Sequence, residues 1–225
     1  MTRPAIHHIT STKAWAVYIA PARLEIIEAM RMIAPCSIAE IAAALDRPAD
    51  TLYRHIEKLR KAGVVTEAGI RRAGRRFEQV FDLAGDDFRP HFRDASARVT
   101  NKMFDDATRS IAKILLRTSR DAAAAEQIVF EPNRRNATVK FEHAWLTQAD
   151  FDQLRGMFLE IKKFMDARKS RRDGRLYLAA FAAIPVHRKR AARVAKTRPA
   201  AIGGKSADRP DAASASSARK RRKTS

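Results

Sequence analysis

The chain has 225 residues, 45% of them hydrophobic and 31% charged, which suits one or two globular domains with a buried core. Its 45 Lys and Arg against 25 Asp and Glu give a formal net charge of +20 and a pI near 11.0, a field that points to nucleic acid or, less commonly, an anionic membrane surface. The single cysteine, Cys36, excludes an intrachain disulfide framework and a cysteine-built metal site. The absence of a long apolar run and of a signal-type N-terminus leads to the expectation of a cytoplasmic protein, nucleoid-associated if bacterial, with no membrane partner.

In chain order, residues 1–20 read as a mixed lead-in. "PARLEIIEAMRMI" then starts a helix at Pro21, a residue suited to the first helical turn, with Leu24, Ile27 and Met30 recurring at helical spacing. Ser37 and Glu40 have capping-box spacing and open the next helix, whose apolar stripe is Ile38, Ile41, Ala42 and Leu45. "DRP" ends it, because proline biases the residue before it away from helical geometry. A third helix is expected from about Ala49 to Ala62, with Leu52, Ile56 and Leu59 along one face and Gly63 placed for a left-handed cap. "VVTEAGI" and "FEQVFDL" read as two strands joined by the basic loop "RRAGRR".

Phe88 to Thr118 reads as one long helix with Phe92, Val99, Met103, Ile111 and Leu115 along a face. "TVKFEHAWL" (138–146) reads as a strand. Thr147 and Asp150 then start a helix carrying Phe151, Leu154, Phe158, Ile161 and Met165. "RLYLAAFAAI" (175–184) fits a strand or a buried helix segment, and strand is favoured. From Pro185 onward the chain is rich in Ala, Ser, Pro, Lys and Arg. Residues 187–225 hold 13 Lys and Arg against 2 Asp, or +11, which leaves +9 for the rest. Such a composition buries too little to offset its ordering entropy, so a disordered basic tail is expected. The fold class is therefore mainly α with small β. A winged helix-turn-helix domain (1–86) precedes a long helix and an α+β dimerisation region (87–185), then the tail (186–225).

A helix-turn-helix locks two helices at a steep angle so that the second enters the major groove. Here the lock would be Ile38, Ile41, Ala42 and Leu45 against Leu52, Ile56 and Leu59. That leaves Asp50, Thr51, Tyr53, Arg54, Glu57 and Lys58 outward. Arg54 suits a bidentate pairing with guanine, and Thr51 or Tyr53 a thymine methyl. Lys58 and Lys61 suit the backbone. Arg71, Arg72, Arg75 and Arg76 at the hairpin tip suit phosphates or a narrow minor groove. Ser37 and His55 complete the expected contact set.

Ser37 to Leu83, about a fifth of the chain, resembles the winged helix-turn-helix of the ArsR-type bacterial repressors. The likeness is carried by "PADTLYRHIEKLRKAGVV", where Thr51, Arg54, His55, Leu59, Arg60, Ala62 and Gly63 match the family's recognition helix and its close. The resemblance implies a homodimer acting as a repressor on an inverted-repeat double-stranded operator. The helix before the turn lacks the cysteine pair of the metal-sensing members, and Tyr53 is bulkier than the family's usual small residue. The segment from 138 to 184 looks like an extra region that assists dimerisation in a subset of these regulators.

Other candidates read as structural. His7 and His8 are adjacent and point apart, so a flexible pair is expected rather than a metal site. His143 has no nucleophile beside it. Cys36 precedes a helix N-terminus, where a thiolate would be favoured, but a lone buried thiol is the plainer reading. Trp145 and Phe151 mark the first place to look for a pocket taking an unidentified small-molecule effector. No phosphate-cradling glycine loop and no paired carboxylates stand out. No cofactor, no metal and no catalysed reaction are expected. An architectural nucleoid protein and a winged helix used as a protein-interaction module are the alternatives.

Overall fold

The computed structural model describes residues 3–93, 95–171 and 173–186. The expected tail, from 187 onward, lies outside the described residues. The chain divides into two compact units, Met1–Ala182 and Ala183–Ser225, and only residues 183–186 of the second are described. About 48% helix and 15% strand make the fold mainly α with small β.

The lead-in is structured. β1 (Ile6–Ile9) and α1 (Thr12–Tyr18) precede α2 (Pro21–Ile33). Proline stands at the first position of α2, as its fixed φ favours. The buried face of α2 is Ile26, Ile27, Ala29 and Met30, with Leu24 only half-buried. Of the expected Leu24–Ile27–Met30 stripe, Ile27 and Met30 are buried, and Ile26 and Ala29 widen the face beyond it.

β2 (Cys36–Ser37) leads directly into α3 (Ile38–Leu45). Both halves of the capping box are present: the Glu40 amide donates to Ser37 Oγ at 3.3 Å, and the Ser37 amide donates to Glu40 Oε2 at 2.8 Å. α3 ends at Asp46 in the left-handed region, and the Arg47 amide donates to the Ala42 carbonyl at 3.0 Å. α4 (Asp50–Lys61) follows after four residues. Gly63 adopts φ +72 and closes α4, with the Val64 amide donating to the Leu59 carbonyl at 3.0 Å.

β3 (Val65–Ala73) and β4 (Arg76–Leu83) form an antiparallel hairpin, and β2 pairs with β4 on its other side. The ladder shifts register between Glu67 and Gly69, where Gly69 takes φ +121, a value that L side chains rarely adopt. Ile41, Leu52, Ile56, Leu59, Val64, Val65 and Leu83 pack with α2 into one core. Fully burying each of the larger side chains contributes about 1.5–3 kcal/mol.

Phe88 does not open a helix. It lies in β5 (Asp87–Pro90), which pairs in parallel with β1, and its ring is buried against His7 and Tyr18. The pairing ties residues 87–90 to the N-terminal fold, across the expected boundary at 86. α5 (Ala97–Ala124) therefore starts later and runs further than expected, so Phe92 falls outside it. Arg117 of α5 and Arg47 of the α3–α4 turn both pair with Glu25 of α2, the latter at 2.7 Å.

α6 (Gln148–Asp166) has the expected start, with a second capping box between Thr147 and Asp150. The flanking segments 138–146 and 175–184 form no strand. Alternating apolar residues give a segment a face, but a strand also needs a hydrogen-bonding edge, and neither ladder includes these residues. Val139, Trp145 and Leu176 are 94%, 88% and 80% exposed. Phe158 of α6 does stack on Phe181 at 5.5 Å.

Candidate nucleic-acid interface

α4 presents two faces of opposite character. Leu52, Ile56 and Leu59 point into the core, while Asp50, Thr51, Tyr53, Arg54 and Lys58 are exposed. Thr51 Oγ1 donates to the Pro48 carbonyl at 2.7 Å, which fixes the rotamer and leaves the oxygen's lone pairs outward. Among the described residues Arg54 and Lys58 make no ion pair.

The far end of α4 is different. Glu57 accepts from Arg60 Nε at 2.9 Å and Nη2 at 3.1 Å, and pairs with Lys61 at 3.2 Å. Hydrogen bonds from Arg60 and then Lys61 hold its carboxyl down to about 2. Arg60 also reaches Glu67 at 3.6 Å. Lys61 is therefore partly engaged within the helix, unlike Lys58.

His55 is half-buried beneath the exposed row, and its Nδ1 is buried without a hydrogen-bond partner. Burial lowers its pKa, and Arg23, Lys58, Arg54 and Arg47 lower it further. The imidazole sits amid positive charge, which disfavours its protonated form. Sequence reasoning missed Arg23 and Arg47 in this cluster, because α2 and the α3–α4 turn reach the helix only through the tertiary fold.

The hairpin extends the basic surface. Arg72, Arg75 and Arg76 are exposed, and Arg72 Nε donates to the Gly74 carbonyl at 3.1 Å. Arg71 turns the other way, to Glu40 at 2.5 Å and Glu78 at 3.7 Å. Burial raises the Glu40 carboxyl, but the Ser37 amide and Arg71 outweigh it and hold it below its ordinary value.

Ser37 departs from expectation most clearly. It is 2% exposed, and its hydroxyl accepts the Glu40 amide in the α3 cap, so its side chain supports the interface from behind.

The remaining candidates fall elsewhere. His7 and His8 are held in β1, where His8 contacts the His91 ring at 5.3 Å, so the pair is not free. Among the described residues no three or more His, Cys, Asp and Glu side chains cluster to hold a metal ion. Cys36 is fully buried, and burial, then Glu40 and Asp82, push its thiol up to about 12. His143 packs edge-on against Phe141. The open depression beside α6, of about 390 Å³, is lined by Phe158, Leu159, Met165 and Phe181 rather than by Trp145 and Phe151. No helix among the described residues is long and apolar enough to cross a membrane.

Residues 18–68 match the family model of a helix-turn-helix domain, a family that includes ArsR-type regulators. The match runs from the end of α1 into β3 and stops before the hairpin tip. No curated protein matches the chain. The helix-turn-helix and the exposed basic face of its second helix support a DNA-binding role in transcription regulation.

Proposed function

We propose that the protein is a sequence-specific regulator of the ArsR type, acting as a homodimeric repressor on a symmetric duplex site without catalysing a reaction. The observation that carries this reading is the exposed row of Thr51, Tyr53, Arg54 and Lys58, its two cations free of ion pairs among the described residues, on a helix whose opposite face is buried. Arg54 supplies direct base readout, whereas Lys58, Arg75 and Arg76 supply phosphate contacts. The exposed apolar side chains of α5, including Phe104, Ile111 and Leu115, support a second copy as the dimer partner. The +11 segment beyond residue 186 adds affinity without sequence information. Localisation to the bacterial cytoplasm, at the nucleoid, goes with this reading.

The test is selection of bound sites from a random duplex pool, followed by footprinting with the full chain. A short two-fold symmetric footprint is expected. Arg54→Ala is expected to lose roughly 5- to 150-fold in affinity for the selected site while folding normally, the value of one bidentate base contact. Ending the chain at Val186 is expected to flatten the salt dependence and keep the selected site. Broad coating of DNA would instead favour an architectural protein, and no protection a protein-interaction module. Unchanged site selection by Arg54→Ala would remove that residue from the readout.

A further inference from the structure

We propose that the β3–β4 hairpin grips duplex DNA with an apolar face as well as with charge, Phe77 and Ile70 packing into the minor groove between the phosphates held by its arginines. This rests on the DNA-binding reading above and extends it to two residues outside the expected contact set.

The register fixes the geometry. Ile70 pairs with Gln79 and Arg72 with Phe77 across the ladder, so these four side chains share one face. Arg71 and Glu78 share the other face, where Arg71 is tied to Glu40 of α3. The β2–β4 pairing and the buried Phe81 and Leu83 set the roll of the hairpin on the domain, and the Arg71–Glu40 contact marks its opposite face.

Phe77 and Ile70 are 78% and 68% exposed, with no core beneath them. Along β4 the same alternation leads from Phe77 through Gln79 to Phe81, which is buried in the core. Phe81 also lines a shallow depression with Tyr53, Arg54, Glu57, Arg60 and Glu67, between α4 and the sheet. The apolar face of the hairpin is therefore continuous with the sheet face that borders the exposed side of α4.

The chemistry around it narrows the occupant. Arg72 lies on the same face, Arg75 sits in the turn beside Gly74, and Arg76 follows. Among the described residues neither Arg75 nor Arg76 has an ion pair. An apolar patch rimmed by cations complements a minor groove, whose sugar edges and base steps are apolar and whose borders are phosphates. Aromatic and branched aliphatic side chains enter minor grooves as wedges in other DNA-binding proteins, unstacking a step and bending the duplex. A protein partner would need an acidic rim about an apolar centre, and that is the competing outcome.

The experiment uses the full chain and a duplex recovered from a random pool by the wild-type protein. Affinity is measured over a salt series, and duplex curvature by end-to-end energy transfer. Phe77→Ala is expected to bind roughly tenfold more weakly with an unchanged salt slope and a straighter duplex, since it removes an apolar contact and no charge. Arg75→Ala should instead lower the slope by about 0.9. Thermal melts of both variants should match wild type, because both side chains are exposed. If Phe77→Ala binds and bends the duplex like wild type while Arg54→Ala loses the site, the wedge is overturned and the regulator reading stands. If the wild-type chain recovers no duplex, both fall.

Discussion

Glu57 offers the sharpest test of how α4 meets DNA. It is the carboxylate in the middle of a basic helix, and it engages Arg60 through two hydrogen bonds and Lys61 through a third contact. With its carboxyl held down to about 2, it stays ionised at every pH suitable for a binding assay. Glu57→Gln therefore removes one negative charge, taking the chain from +20 to +21; it frees Lys61 and leaves Arg60 with only the longer Glu67 contact at 3.6 Å. With Lys61 on a phosphate the slope of log affinity against log salt should steepen by about 0.9, and by about 1.8 if Arg60 also leaves Glu67 for one. Fluorescence anisotropy with a mixed-sequence duplex over a salt series measures it. Asp106→Asn is the control: it makes the same charge change and frees Lys102, paired at 2.7 Å, on α5. An unchanged slope for Glu57→Gln, or an equal steepening for the control, would refute the idea that the C-terminal half of α4 lies along the duplex.

Two further outcomes test the supporting structure. The folded state lowers the His55 pKa below its ordinary 6.5 through burial and the cations Arg23, Lys58, Arg54 and Arg47. Below 6.5 the unfolded chain takes up a proton that the folded chain resists, so stability should fall as the pH drops through that value. His55→Gln should flatten the fall in melting temperature between about pH 7 and pH 5; an equally steep fall would assign it to other groups. At Gly85 an added Cβ would lie 2.6 Å from His7 Cβ and 3.1 Å from the His7 amide nitrogen. Gly85→Ala should cost roughly 1–3 kcal/mol in chemical denaturation, as overpacking does. A neutral result would mean that β1 can shift without loss.

The central helices were legible because their signals are local. Ser37 and Glu40, Pro48, the Leu52–Ile56–Leu59 stripe and Gly63 each act within a few residues, and each marks a boundary or face found in the fold. What was not legible depends on distant pairing. β1 and β5 are four residues each and stabilise one another from about eighty positions apart, so Phe88 reads as the start of the following helix. The segments at 138–146 and 175–184 show the converse. Their alternation states which residues would share a face, and nothing in it supplies an edge to bond with. The exposed row on α4 could be read from periodicity, but the distinction between free Arg54 and engaged Lys61 needed side-chain geometry.

The Glu40 carboxylate joins two things that sequence keeps far apart, the start of α3 and the reach of the hairpin. On the proposed function, drift along the outer side of α4 would change the preferred bases while leaving that contact untouched. A change at Glu40 would loosen the helix start and free Arg71 together, while the β2–β4 pairing and the buried Phe81 and Leu83 still hold the hairpin to the core. Under that proposal a new vocabulary would come more readily than a new helix start.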